Sequence, residues 1–325
     1  MADWRIVQVT HRSSEREKTE VAKFWDGNYL EMTRSRLAEP WDGESYGFSA
    51  AFLGDECIGT TSYTVSGRGQ GIISQVHTEP LHRKKGIATA TLEGALEAFR
   101  AHGARAVYLA AWSDWIRDMY RKAGFVRVGT MGERHAFKLT LSESGRDENL
   151  FRHGQRTVFR PMGKGDQADL TSLFNARHPV VVKHYDLGCY LGSYFEGEFY
   201  ILQNQTVTGI VAEEKKEKKG FRAVVLDGEE TVMGFGTVIP SSRRHEGHHG
   251  VLDLLVHPNY ADREGELLAR LTEGCELDHL TAYAETGEER KRHLLEQTGW
   301  SRIAVLERHL FIEERYYDLM MYRKD

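Results

Sequence analysis

HTEPLHRKKGIATATLEGAL, residues 77–96, is the stretch on which the fold turns. The run GIISQVHTEP, residues 71–80, reads as a strand ended by Pro80. Arg83, Lys84 and Lys85 then crowd against Gly86. Beyond it, Ile87, Leu92, Ala95, Leu96 and Phe99 recur at helical spacing, and Gly103 supplies the stop. A strand, a glycine-bearing loop and a helix start together make an anion site. Free backbone N–H groups point outward there, and the helix dipole favours negative charge. Glycine permits close approach of a phosphate, and three cations stand at the same place. The arrangement suits a pyrophosphate.

Working outward, YGFSAAFLGDECIGTTSYTVS (46–66) places two apolar runs around Gly54-Asp55, a hairpin signal. Residues 1–45 mix charges with helical spacing, and Val21, Phe24, Trp25 and Leu30 are expected on one helix face. Downstream, RAVYLAAW (105–112) predicts a strand. SDWIRDMYRKAGF (113–125) predicts a short helix capped by Ser113 or Asp114 and closed by Gly124. FVRVGTMGERHAFKLTL (125–141) predicts a hairpin, and the polar segment 142–156 reads as a linker. After it the order returns. A strand and helix lead to a hairpin at Asp227-Gly228, a strand ended by Pro258, a helix, a strand, a helix closed by Gly299-Trp300, and final strands. The chain reads as one α/β unit written twice.

Bulk properties narrow the function classes. A length of 325 residues fits two domains or one large one, and 14 Tyr, 14 Phe and 6 Trp supply substantial cores. A net charge of −5 gives no reason to expect nucleic acid as a partner. Cys57, Cys189 and Cys275 stand far apart without a CxxC pair, so reduced thiols are expected rather than a metal site or disulfides. The charged N-terminal stretch is no signal peptide, and no apolar run approaches the ~20 residues of a membrane span. These features predict a cytoplasmic protein with no membrane partner. The mixed charge run 213–220 reads as a solvated hairpin loop, and the three histidines of 243–250 as loop residues rather than metal ligands.

RKKGIA, Arg83 to Ala88, resembles the Arg/Gln-x-x-Gly-x-Gly/Ala loop of the GNAT superfamily of N-acetyltransferases. MYRKAGF, Met119 to Phe125, is similar to that family's Tyr-x-x-x-Gly-Phe helix end. The two motifs stand in the family's order, separated by a helix and a strand. The resemblance implies an α/β (α+β) fold of two tandem GNAT-like domains, each a mixed, mostly antiparallel central sheet flanked by helices. Residues 1–145 would be the catalytic domain and 156–325 a degenerate, non-catalytic one. It implies acetyl-CoA as acyl donor, no metal, and a small-molecule amine as acceptor, with the chain a monomer or homodimer.

The family's site residues carry over as follows. Arg83, Lys84, Lys85, Gly86, Ile87, Ala88 and Thr89 would hold the pyrophosphate, largely through backbone N–H groups. Val76, His77 and Thr78, at the strand end, would meet the pantetheine and the acetyl carbonyl. Ser113 stands where the family often has Asn, and its hydroxyl can still bond a pantetheine amide. Tyr120 takes the general-acid position. For the base, His77 and Glu79 are the nearby candidates, with Glu31 and Glu44 on the acceptor side. Strand alternation puts Gln75 and His77 on one face and Val76 and Thr78 on the other. Trp25, Tyr29, Trp41, Tyr46, Trp112 and Trp115 are an aromatic supply for the acceptor pocket and the core.

In the second half the pattern decays. Gly265 is expected in the place of Gly86, but Asp262 stands three residues before it instead of Arg or Gln, Glu264 and Glu266 flank it, and Leu295 stands where Tyr120 does. Carboxylates around a phosphate loop repel the ligand. The competing expectation is a catalytically inactive acyl-CoA-binding or scaffold module.

Overall fold

A computed structural model describes residues 4–131, 133–196, 199, 202, 220–241 and 248–325. The charge run 213–220 and the histidine cluster 243–250 lie largely outside them. The chain divides into two compact units. The first comprises 1–127, 136–150 and 163–171, the second 128–135, 151–162 and 172–325.

The first unit opens with β1 (Trp4–Thr10), a strand where helical spacing was expected, followed by two helices, α1 (Glu15–Ala22) and α2 (Gly27–Ala38). The residues WRIVQVT explain β1: β-branched and aromatic side chains favour a pleated, half-buried surface over a helix. Ser14 and Glu17 form a reciprocal capping box that fixes where α1 begins. The hairpin β2 (Ser45–Leu53) and β3 (Glu56–Val65) turns at Gly54-Asp55 as expected. There follow β4 (Gln70–Thr78), α3 (Ile87–Ala101), β5 (Ala106–Ala111), α4 (Asp114–Lys122), β6 (Val126–Met131) and β7 (Arg134–Thr140), with residues 128–135 of the last two counted in the second unit.

The sheet order is β1-β2-β3-β4-β5-β7-β6, with β4 and β5 parallel. Two cores cover its faces. Val9, Val21, Leu37, Phe48 and Phe52 pack beneath α1 and α2. Tyr63, Ile73, Leu92, Leu96, Phe99, Val107, Leu109 and Tyr120 pack beneath α3 and α4. Phe99 is fully buried, and its truncation to Ala would cost about 3–5 kcal/mol. The segment read as a linker is a packed 3-10 turn and a short helix, α5 (Asp147–Leu150), anchored by a Lys138–Asp147 ion pair at 2.6 Å.

The second unit repeats the plan. Its elements are β8 (Val158–Pro161), α6 (Gln167–Asn175, begun in the first unit), β9 (Val182–His184), β10 (Cys189–Tyr190), β11 (Arg222–Asp227), β12 (Val232–Pro240) and β13 (His249–Val256). After these come α7 (Glu264–Thr272), β14 (His279–Glu285), α8 (Glu289–Gln297), β15 (Ser301–Ile312) and β16 (Arg315–Lys324). The sheet order β8-β11-β12-β13-β14-β16-β15 is that of the first sheet, again with one parallel pair, β13 and β14. The helix ends match as well. Phe125 donates its N–H to Tyr120 O at 3.0 Å, and Trp300 donates to Leu295 O at 3.0 Å. The fold is mixed α/β, two units each built on a mostly antiparallel seven-stranded sheet flanked by helices.

Candidate active site

β4 and β5 pair only where Gln70–Ile72 face Ala106–Tyr108. Beyond that, β4 runs on to Thr78 without β5. Against β3, Ser62 faces Ser74 and Thr60 faces His77, so Gln75 and Val76 together oppose Thr61. This is a β-bulge, and Gln75 takes the left-handed conformation with φ of 50°. Past Ile72 and Tyr108 the two strands no longer pair, and the wedge between their ends lies beside this bulge.

At the mouth of the wedge the chain makes one 3-10 turn, Pro80–His82, and enters α3 through Gly86 at φ of 83°. Lys84 is also left-handed, at φ of 61°. No side chain caps α3. The first backbone bond runs from Ala90 N–H to Gly86 O, leaving the amides of Ile87, Ala88 and Thr89 free for a ligand. Ile87 seats this turn on β3: a Cβ added at Gly59 would lie 2.6 Å from its Cγ2. Arg83, Lys84 and Lys85 are exposed. Arg83 donates from Nε to Thr78 O at 3.2 Å, while neither lysine has a carboxylate partner among the described residues. The loop thus combines uncapped amides, a left-handed glycine and two exposed lysines.

The two faces of β4 separate as alternation predicts. Val76 packs on the cluster that buries Tyr120, on the α3/α4 face. Tyr120 is 3% exposed and meets Phe125 edge to face at 5.7 Å. Ser113 caps α4 in position only. Its Oγ is buried without a hydrogen bond, as is Thr78 Oγ1. Buried hydroxyls left unsatisfied are costly, so both atoms fit a ligand amide entering the wedge. On the opposite face His77 stacks against Phe24, with Trp25 at its edge at 6.3 Å. Burial lowers the His77 pKa. Glu79 opposes this and Arg83 reinforces it. Its Nε2 is buried without a partner. Glu79 is half-buried, and its N–H bonds Ile58 O at 3.0 Å.

Of the other acidic candidates, Glu31 is exposed on α2. Glu44 is bound up in a buried ion pair with Arg36 at 2.8 Å, and burial pushes its carboxyl up to about 7 against the pull of that guanidinium. Among the aromatics, Trp41 and Tyr46 are core, whereas Trp112 and Trp115 are 61% and 68% exposed.

Residues 13–125 match the sequence model of the acetyltransferase (GNAT) family. This span is a GNAT acetyltransferase domain. No curated protein matches the chain. Solved structures similar to it include a ribosomal-protein-alanine N-acetyltransferase from Brucella melitensis, at 19% identity and a TM-score of 0.40, covering 51% of this chain and 98% of the other. A GNAT-family acetyltransferase from Streptococcus pneumoniae, at 17% and 0.41, covers 52% and 98%. A phosphinothricin acetyltransferase from Sinorhizobium meliloti in complex with acetyl-CoA, at 16% and 0.41, covers 52% and 87%.

The second unit differs from the GNAT domain at each of these features. β13 pairs with β12 from Pro240 through Gly234 without a register shift, so it carries no bulge. Gly265, expected to stand in for Gly86, is instead the second residue of α7, and the 3-10 turn Pro258–Arg263 runs straight into that helix. Glu288 stands at the Ser113 position before α8. It is buried, with its carboxyl raised to about 7. Lys291 pairs with Asp253 at 2.5 Å beside the end of the β13–β14 pairing. Asp253 also accepts the N–H of Tyr185 at 2.6 Å. His184, kept neutral by burial at about 4, lies 3.8 Å from it. No group of three metal-ligating side chains occurs among the described residues, and none of their helices is long and apolar enough to cross a membrane.

The sequence missed the bulge at Gln75 and the stacking of His77 on Phe24. Neither has a local signal, because both join residues far apart in the chain.

Proposed function

We propose that the chain is an N-acetyltransferase moving acetyl from acetyl-CoA to the primary amine of a small molecule, with its chemistry in the GNAT domain. The observation that carries this is the entry to α3, where a left-handed Gly86 presents uncapped amides beside Arg83, Lys84 and Lys85, next to a bulged strand. Helix N-termini and cations together suit a diphosphate. The unpartnered Ser113 and Thr78 hydroxyls suit the amides of a pantetheine arm.

Acetyl-CoA supplies the activated acyl group. His77, held neutral by burial, takes a proton from the incoming ammonium at Nε2, the atom left without a partner. The neutral amine attacks the acetyl carbonyl; as the C–S bond breaks, Tyr120 gives its phenolic proton to the departing sulfur, and the second proton shed by the acylated nitrogen restores the phenol. The backbone N–H groups after the bulge polarise the carbonyl. Phe24 and Trp25 hold the imidazole and form an aromatic wall for the acceptor. In this reading the second unit neither binds the donor nor catalyses: the buried Lys291–Asp253 pair lies at the end of its β13–β14 pairing, and no left-handed glycine leads into α7.

Thiol release from acetyl-CoA across a panel of amines tests the reading. Turnover with at least one amine, falling sharply in Tyr120→Phe, supports it. CoA binding without turnover on any amine favours the inactive binding module.

A further inference from the structure

Gln75 is a non-glycine residue held in the left-handed region, 5% exposed, at the bulge beside the wedge. Such a conformation is uncommon for a residue with a Cβ, and it persists only where the surroundings over-determine it. Three contacts do so here. Tyr46, on β2, donates its hydroxyl to Gln75 Oε1 at 2.8 Å. Gln75 Nε2 donates to Thr33 Oγ1, on α2, at 2.7 Å. Thr60, on β3, donates its hydroxyl to Gln75 O at 3.0 Å. Both ends of the side-chain amide are satisfied and the carbonyl is fixed, so neither χ nor ψ is free.

We propose that this three-point clamp makes Gln75 a positioning residue for the acyl donor: it sets the bulge, and the bulge aims the backbone of Val76, His77 and Thr78 into the wedge. The proposal rests on the acetyl-CoA reading above and adds a residue that touches neither substrate. It also makes α2 and β2, elements of the acceptor face, determinants of donor geometry. The second unit supplies an internal contrast, since its β13 runs without a bulge.

The two roles of Gln75 separate by substitution. Gln75→Gly keeps the left-handed backbone at no steric cost and the bond from Thr60, but removes the two side-chain bonds to Tyr46 and Thr33. Tyr46→Phe and Thr33→Val each remove one of its bonds and keep the packing. The experiment measures CoA affinity by calorimetry on the full chain, with thermal unfolding alongside. If the clamp positions the donor, Gln75→Gly weakens CoA binding about tenfold, as expected for two lost side-chain hydrogen bonds. Tyr46→Phe and Thr33→Val would each weaken it about threefold. Wild-type affinity in all folded variants, with only the melting temperature lowered, would make Gln75 merely structural and overturn the proposal. Should Gln75→Gly fail to fold, the two single-bond variants decide it in the same way. No binding by the wild-type chain would instead overturn the donor reading, and the clamp's role with it.

Discussion

His77 stacks on Phe24 with ring centroids 4.4 Å apart and planes inclined by 27°. Burial against this ring disfavours the imidazolium, so the pKa lies below the ordinary value of about 6.5. Only the neutral ring can accept a proton. The sign is therefore fixed: activity persists as pH falls through about 6.5 and is lost on an acid limb below it. His77→Asn should lower kcat about a hundredfold and remove that limb from the pH profile of kcat/KM. An unchanged profile in the variant would assign the base elsewhere.

Tyr120 lies in the apolar core shared by α3, α4 and β5. Tyr120→Phe removes one hydroxyl and keeps the ring packing on Phe125. The expected result is a kcat lower by about two orders of magnitude with CoA affinity unchanged, measured by thiol release and by calorimetry. A loss of affinity matching the loss of rate would make the residue a binding group rather than the acid.

In the second unit, Lys291 and Asp253 are 2% and 1% exposed. Removing one partner strands a buried charge. Lys291→Met alone should cost about 3–5 kcal/mol, whereas adding Asp253→Leu should recover much of it. Denaturant titration of both variants measures this. Equal destabilisation by the single and double variants would show that the pair carries no coupling.

Much of the GNAT domain was legible because its signals are local. Gly54-Asp55 marks a hairpin, Gly86 a helix entry, and the run to Gly124-Phe125 a helix end, each within a few residues. The repeated plan was legible for the same reason, since Leu295 and Trp300 close α8 as Tyr120 and Phe125 close α4. β1 was misread even though Val7 and Val9 favour a strand, because the charged residues after it carry helical spacing. What stayed hidden depends on distant partners. Nothing about glutamine announces a left-handed bulge: that needs Thr33, Tyr46 and Thr60 together. Gly265 looked like a loop glycine because of its place after Pro258. It is helical because the turn before it continues into α7 without a left-handed step.

The central claim is that amides around Gly86, with adjacent cations, grip the diphosphate of a thioester carrier in one unit and not the other. Isothermal calorimetry with CoA tests it most directly. The account predicts one site per chain, weakened at least tenfold by Arg83→Glu and increasingly so as salt is lowered, because exposed charges act more strongly there. No heat with CoA, two equal sites per chain, or an affinity indifferent to Arg83→Glu would contradict it.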